Sequence, residues 1–464
     1  METEINGMIL EYKNDITITQ VSNVIGDFVI PAEIEGHNVI SIAPHAFEGC
    51  EGLTGVVIPN GVTSIEDEAF SDCRNLVKVI MSDGVKRIGK CAFHNCRNMA
   101  HVRIPGSVAE IGRGAFSGCS GLTSVDILDG VTSIGTSMFF GCSKLAGVTL
   151  PNSVERIGDW AFAGCRSLTS VTIPNSVTDI GNQAFSGCSS LISVTIPDSV
   201  TDIGNQAFSG CSSLISVAIP DSVTHIESKA FFGCANLTNV TIPVYVKHIG
   251  SNVFSDCGKL TSLIVDDRNL CNTSHSGLLL TKNGKKLVVA SRNLVRVVIP
   301  EGVTEIGGGA FYGCSNLRSV TIPASVMRIG DSAFYGCYGL TDISIPIGIT
   351  DIGDEAFHGC SGLKNIEMPE GIKNIGASAF FYCWNLRNVK IPNGVTRIGE
   401  GAFFGCCGLK SIVIPNSVKD IADNMFSRCY NLTHVTMPKR FEGRVPIGTF
   451  EECSPELTIA YVDE

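Results

Sequence analysis

Phenylalanine stands at positions 47, 70, 93, 116, 139, 162, 185, 208, 231 and 254, always 23 residues apart. The series resumes at 311, 334, 357, 380, 403 and 426, and ends one residue late at Phe450. Three residues after each comes a cysteine, from Cys50 to Cys453, and then a leucine as in Leu53, Leu76, Leu122 and Leu432, with Met99 substituting once. A unit of 23 residues cannot bury its apolar face alone. It must stack on its neighbours, so the period predicts a solenoid of seventeen coils. Two successive units, ending at Thr195 and Ala218, differ at only two positions. Such near-identity points to local duplication, which a scaffold tolerates better than a catalytic centre.

Each unit divides into short elements. Val171 and Ile173 alternate with Ser170 and Thr172, the period of a half-buried strand. Pro174 has no N–H to donate and ends that strand, and Asn175-Ser176 makes the turn. Val177 to Ile180 reads as a second extended piece, broken by Gly181. Asn182 to Phe185 reads as one turn of helix at most, ended by a left-handed residue at Gly187. Asp72, Asn95 and Asp256 tolerate that conformation, whereas Tyr382 and Arg428 at the same position imply differently shaped coils.

The pattern IPxSVTxIGxxAFxGCxxLxxV resembles the BspA-like class of leucine-rich repeats, over roughly residues 28–455. That resemblance implies a leucine-rich-repeat solenoid of the α/β, strand-dominated kind, with parallel stacked coils and short helical turns. It also implies a surface location and adhesion to host proteins or cells, with no shared binding residues to carry over.

The array has two ends and one interruption. Residues 1–41 read as an N-terminal β cap and the start of a lengthened first coil, in which Pro31 precedes Phe47 by 16 residues. Ten coils follow over 42–265. An island at 266–299 carries a β-hairpin with Asn283-Gly284 at its turn. Seven coils over 300–464 close with a last strand in LTIAYVDE. The island is a loop that continues the sheet, a binding protrusion or a bend.

Composition excludes several functions. A net charge of −11 with a pI near 5.4 argues against a nucleic-acid partner. No apolar stretch reaches the roughly 18 residues of a membrane span, and the first twenty residues lack a basic region followed by an apolar one. Compartment therefore stays open between surface and interior. The twenty cysteines lack paired CxxC spacing, so they read as small buried hydrophobes rather than metal ligands or a disulfide framework. Cys91, Cys271 and Cys407 lie off the ladder and are the candidates for reactivity. The nine histidines are scattered, no Ser-His-Asp or phosphate-loop pattern occurs, and carboxylates such as Asp179 and Asp202 sit at turn positions. No cofactor or metal is expected, and no enzymatic activity.

Two surfaces stand out. One is the strand face, where Ser170/Thr172, Ser193/Thr195, Asn239/Thr241 and Ser319/Thr321 point outward. The other is an aromatic edge after the island. There the residue following the ladder phenylalanine is Tyr312, Tyr335, His358, Phe381 and Phe404, with Tyr338, Tyr382, Trp384 and Tyr430 close by. These rings either anchor a partner or stack on each other to stiffen the edge. The expected function is a non-enzymatic repeat scaffold that binds a protein or host-cell surface macromolecule, adhesin-like. An intracellular interaction scaffold is the alternative, ahead of a glycan-binding module or an enzyme.

Overall fold

A computed structural model describes residues 2–5, 8–12, 15–21 and 24–463, with side chains from residue 15 onward. The chain forms two compact units, Met1–Leu237 and Thr238–Glu464, each a stack of coils. This division falls upstream of the 266–299 island.

One coil represents the first unit. Ser170–Thr172 pairs in parallel with Gly147–Thr149 on one side and Ser193–Thr195 on the other, and Val171 lies under the sheet. The chain turns at Pro174, whose carbonyl accepts from the Val177 N–H at 3.0 Å. Asp179–Ile180 then joins a second parallel row between Arg156–Ile157 and Asp202–Ile203. Every partner is 23 residues away. The sequence period and the hydrogen-bond register are thus the same quantity, and backbone groups that one coil leaves open are satisfied by the next.

Gly181 follows the second strand because a side chain has no room there: a Cβ would stand 2.7 Å from the Asp159 backbone nitrogen. The stretch after it is not helical. Gln183 is left-handed, with φ of 55°, and Gly187 is left-handed again at 71°. Among the described residues no α-helix occurs, and the helical elements are two 3-10 turns, Lys439–Phe441 and Ile447–Phe450. The expected helical turn is therefore replaced by two tight corners, which let the ladder phenylalanine and the residue two after it donate their N–H groups to the next coil. Phe185 donates to Ala207 at 2.7 Å and Gly187 to Ser209 at 2.7 Å. Tyr382 and Arg428 do not shape their coils differently. Both adopt the left-handed corner, at φ 54° and 58°.

The core is one column per repeat position. Ladder phenylalanines stack at 4.6–5.8 Å between ring centroids from Phe47 to Phe231, and at 4.9–5.7 Å from Phe311 to Phe450. Phe208 is fully buried. All twenty cysteines are free, and the ladder thiols do more than fill space. Cys73 Sγ donates to the Phe47 carbonyl at 3.0 Å, Cys96 to Phe70 at 3.2 Å and Cys188 to Phe162 at 3.3 Å. A serine hydroxyl would make that bond at greater desolvation cost, whereas a thiol combines weak donation with apolar bulk. Burial pushes the Cys188 thiol up to about 12. Only Cys50 and Cys453, in the end coils, are half-buried among the ladder cysteines.

The caps follow from the same row geometry. Ile16–Val21 pairs in parallel with His37–Ile42 and continues the second row, while Met8–Tyr12 returns antiparallel against it. The surplus of the first coil folds into a tight hairpin, Glu33–Ile34 against His37–Asn38, around left-handed Glu35 and Gly36. In the second unit the island is a three-stranded antiparallel ribbon: Asn272–His275, Leu278–Thr281 and Lys286–Ala290. Its last strand pairs in parallel with Glu305–Ile306, so the island continues the second row instead of standing off it. Thr458–Val462 closes the unit on His434–Pro438.

Candidate functional site

The corner that carries the ladder phenylalanine also sets the next side chain on the flank beside the phenylalanine column. Successive coils therefore place their post-phenylalanine residues directly over one another. In the second unit this builds a second aromatic column beside the buried one. Tyr312 and Tyr335 stack at 4.5 Å, Tyr335 and His358 at 4.4 Å, His358 and Phe381 at 4.8 Å, and Phe381 and Phe404 at 4.4 Å. All five rings are half-buried. Tyr382 meets Phe381, Phe404 and Trp384 edge-on, and the Arg428 guanidinium sits 5.6 Å over Phe404.

The column is electrically neutral. Burial raises Tyr312 and Tyr335 above the ordinary phenol range and depresses His358, so each ring favours its uncharged form. Stacking of this kind stiffens the edge, and little of these five rings is left for contact with anything else.

Three of the aromatic residues singled out from sequence stay mostly exposed: Tyr338 at 58%, Trp384 at 55% and Tyr430 at 51%. They occupy one repeat position, four after the ladder phenylalanine, on alternate coils 46 residues apart. Between them the same position holds Ser361 and Cys407. The result is a row of rings roughly 10 Å apart, twice the strand spacing, with small residues in the gaps. The alternation was legible in the sequence as a doubled period, but the 23-residue register hid it. Tyr430 is steadied by its hydroxyl, which donates to Glu452 at 3.3 Å. Where the island meets this edge, a notch of about 400 Å³ is lined by Asp256, Arg292, Tyr312, Tyr335 and Tyr338, with Arg292 held by the Gly313 carbonyl at 2.6 Å.

Among the described residues the first unit has no such column. Its post-phenylalanine positions are mostly small or polar, as at Ser71, Ser117, Ala163, Ser186 and Ser209. Its strand face presents Ser170, Thr172, Ser193 and Thr195 to solvent as expected. Of the off-ladder cysteines, Cys91 and Cys407 are pushed up mainly by burial, which disfavours the reactive thiolate. No helix among the described residues is long and apolar enough to cross a membrane.

A family model described as "BspA type Leucine rich repeat region (6 copies)" matches residues 40–169, 155–273, 285–406 and 373–461. Among solved structures, a leucine-rich cell surface protein from Faecalibacterium prausnitzii is 29% identical, with 94% of each chain covered and a TM-score of 0.51. A leucine-rich repeat protein from Bacteroides ovatus is 26% identical, with 99% of each chain covered and a TM-score of 0.42. Comparison with curated proteins returned no match.

Proposed function

Because the chain belongs to the BspA-type leucine-rich repeat family, we propose that it is a non-enzymatic scaffold whose second unit grips a protein on a host-cell surface. The observation that carries this is the row Tyr338, Trp384 and Tyr430, exposed on alternate coils and fixed on a stiff stacked edge. Large rings on a rigid support bury area at low entropic cost, which makes them the favoured anchors of protein interfaces. The hydroxyl-rich strand face of the first unit is the weaker candidate, since exposed Ser and Thr exchange water hydrogen bonds for partner ones at little net gain. The likeness to the Faecalibacterium cell surface protein supports the location.

The test is flow cytometry of labelled protein on epithelial cells, with circular dichroism as the folding control. The triple variant Tyr338→Ala/Trp384→Ala/Tyr430→Ala is expected to lose most binding. The variant Ser170→Ala/Thr172→Ala/Thr195→Ala is expected to keep it. Loss confined to the hydroxyl set, or no binding by the unaltered chain, overturns the proposal.

A further inference from the structure

We propose that His45, Glu48 and Glu68 form a divalent-metal site on the corner of the first two coils, of the kind that takes Zn²⁺. His45 and Glu68 hold the same repeat position, two before a ladder phenylalanine, one coil apart, and Glu48 directly follows Phe47. Both corner residues are left-handed, at φ 61° and 59°, which turns their side chains onto the same flank.

Nδ1 of His45 lies 2.8 Å from Oε2 of Glu48 and 3.8 Å from Oε2 of Glu68, and the three ligand atoms all fall within 4.8 Å of one another. A tetrahedral zinc with bonds of about 2.0–2.2 Å spaces its ligands roughly 3.4 Å apart. The observed separations straddle that value, and the side chains are exposed enough to close the difference. Among the described residues no other three such groups converge in this way.

Charge supplies an independent reason. Neighbouring Glu66 and Asp67 pair with Arg87, and Asp72 with Arg74. No lysine or arginine pairs with Glu48 or Glu68 among the described residues; each finds only His45. Two carboxylates beside one imidazole give a cluster whose negative charge a dication would neutralise. The donor set selects the metal. Ca²⁺ wants six to eight oxygen ligands, whereas one imidazole with two carboxylates suits a borderline ion, with water in the fourth position.

The experiment is calorimetric titration of the reduced, EDTA-treated full chain with Zn²⁺. One site is expected. His45→Gly suits the left-handed backbone and removes the nitrogen. It and Glu68→Gln are each expected to weaken binding by roughly tenfold or more, while Cys91→Ser, one coil further along, leaves it unchanged. Absence of binding, or unaltered affinity in folded His45→Gly and Glu68→Gln, overturns the site. So does loss of binding in Cys91→Ser alone.

Discussion

The flank beside the ladder phenylalanines is built in opposite ways in the two units. In the first, the post-phenylalanine position is filled by residues as small as Ser186 and Ser209, and the corners are joined by backbone bonds and by short side-chain bonds such as Asn182 N–H to Asp159 Oδ1. In the second, Tyr312 through Phe404 add a half-buried ring stack to the same backbone. The buried columns of Phe and Cys are alike in both. Coil geometry is therefore set by the interior, and the flank is free to be varied for another purpose. The rings that remain exposed on it, Tyr338, Trp384 and Tyr430, stand on alternate coils.

If the interiors are equivalent, both units should respond alike to attack on the thiol ladder. The ordinary thiol value is 9.0, and burial lifts several folded ladder thiols well above it, Cys73 and Cys188 to about 12 and Cys211 and Cys406 in the same direction. A raised folded value means the contribution is complete below pH 9 and is lost as pH rises above it, because only the unfolded thiol ionises. Each thiol raised in this way then costs about 1.4 kcal/mol per pH unit above 9. Urea unfolding followed from pH 7.5 to 10.5 should show a loss of many kcal/mol. Replacing ladder cysteines with alanine in either unit should flatten that slope to the same degree, and unequal flattening would break the equivalence.

Truncation of the aromatic ladder comes next in size. Phe208→Ala and Phe357→Ala should each cost about 3–5 kcal/mol, with faster hydrogen exchange confined to adjacent coils. Unequal costs would mean that the second ring column supports the core of the second unit.

Corner residues sharpen the contrast further. Gly187→Ala, forced left-handed at φ 71°, should destabilise by about 1–2 kcal/mol. Gln183→Gly should gain up to about 1 kcal/mol at φ 55°. Tyr382→Gly, at nearly the same φ, should show no gain, because its ring packs on Phe381 and Phe404. A gain there would remove the packing reason for a tyrosine in that conformation.

The smallest effect isolates the flank itself. A double-mutant cycle on Tyr312→Ala and Tyr335→Ala should give a coupling of about 0.5–1.5 kcal/mol. The cycle on Ser186→Ala and Ser209→Ala in the first unit should give a coupling near zero.

The sequence alone determined the register. A phenylalanine every 23 residues dictates which residues stack, because in a solenoid the neighbour in space is the neighbour by period. The two strand rows, the island hairpin and the closing strand follow from alternation and turn chemistry at Pro174, Asn283-Gly284 and LTIAYVDE. Only the tertiary structure decided what each stacked side chain touches. Gln183 and Tyr382 carry no mark of a left-handed corner, since the bonds to the next coil impose it against their own preference. The thiols had no partner visible from Cys spacing, because the acceptor of Cys188 is a backbone carbonyl 26 residues back. Half-burial separated Phe381 from Trp384, and convergence joined His45 to Glu68 across a coil boundary. Period fixes which coils are neighbours, but distance and burial depend on how the corner bends, and that is settled only when the coils pack.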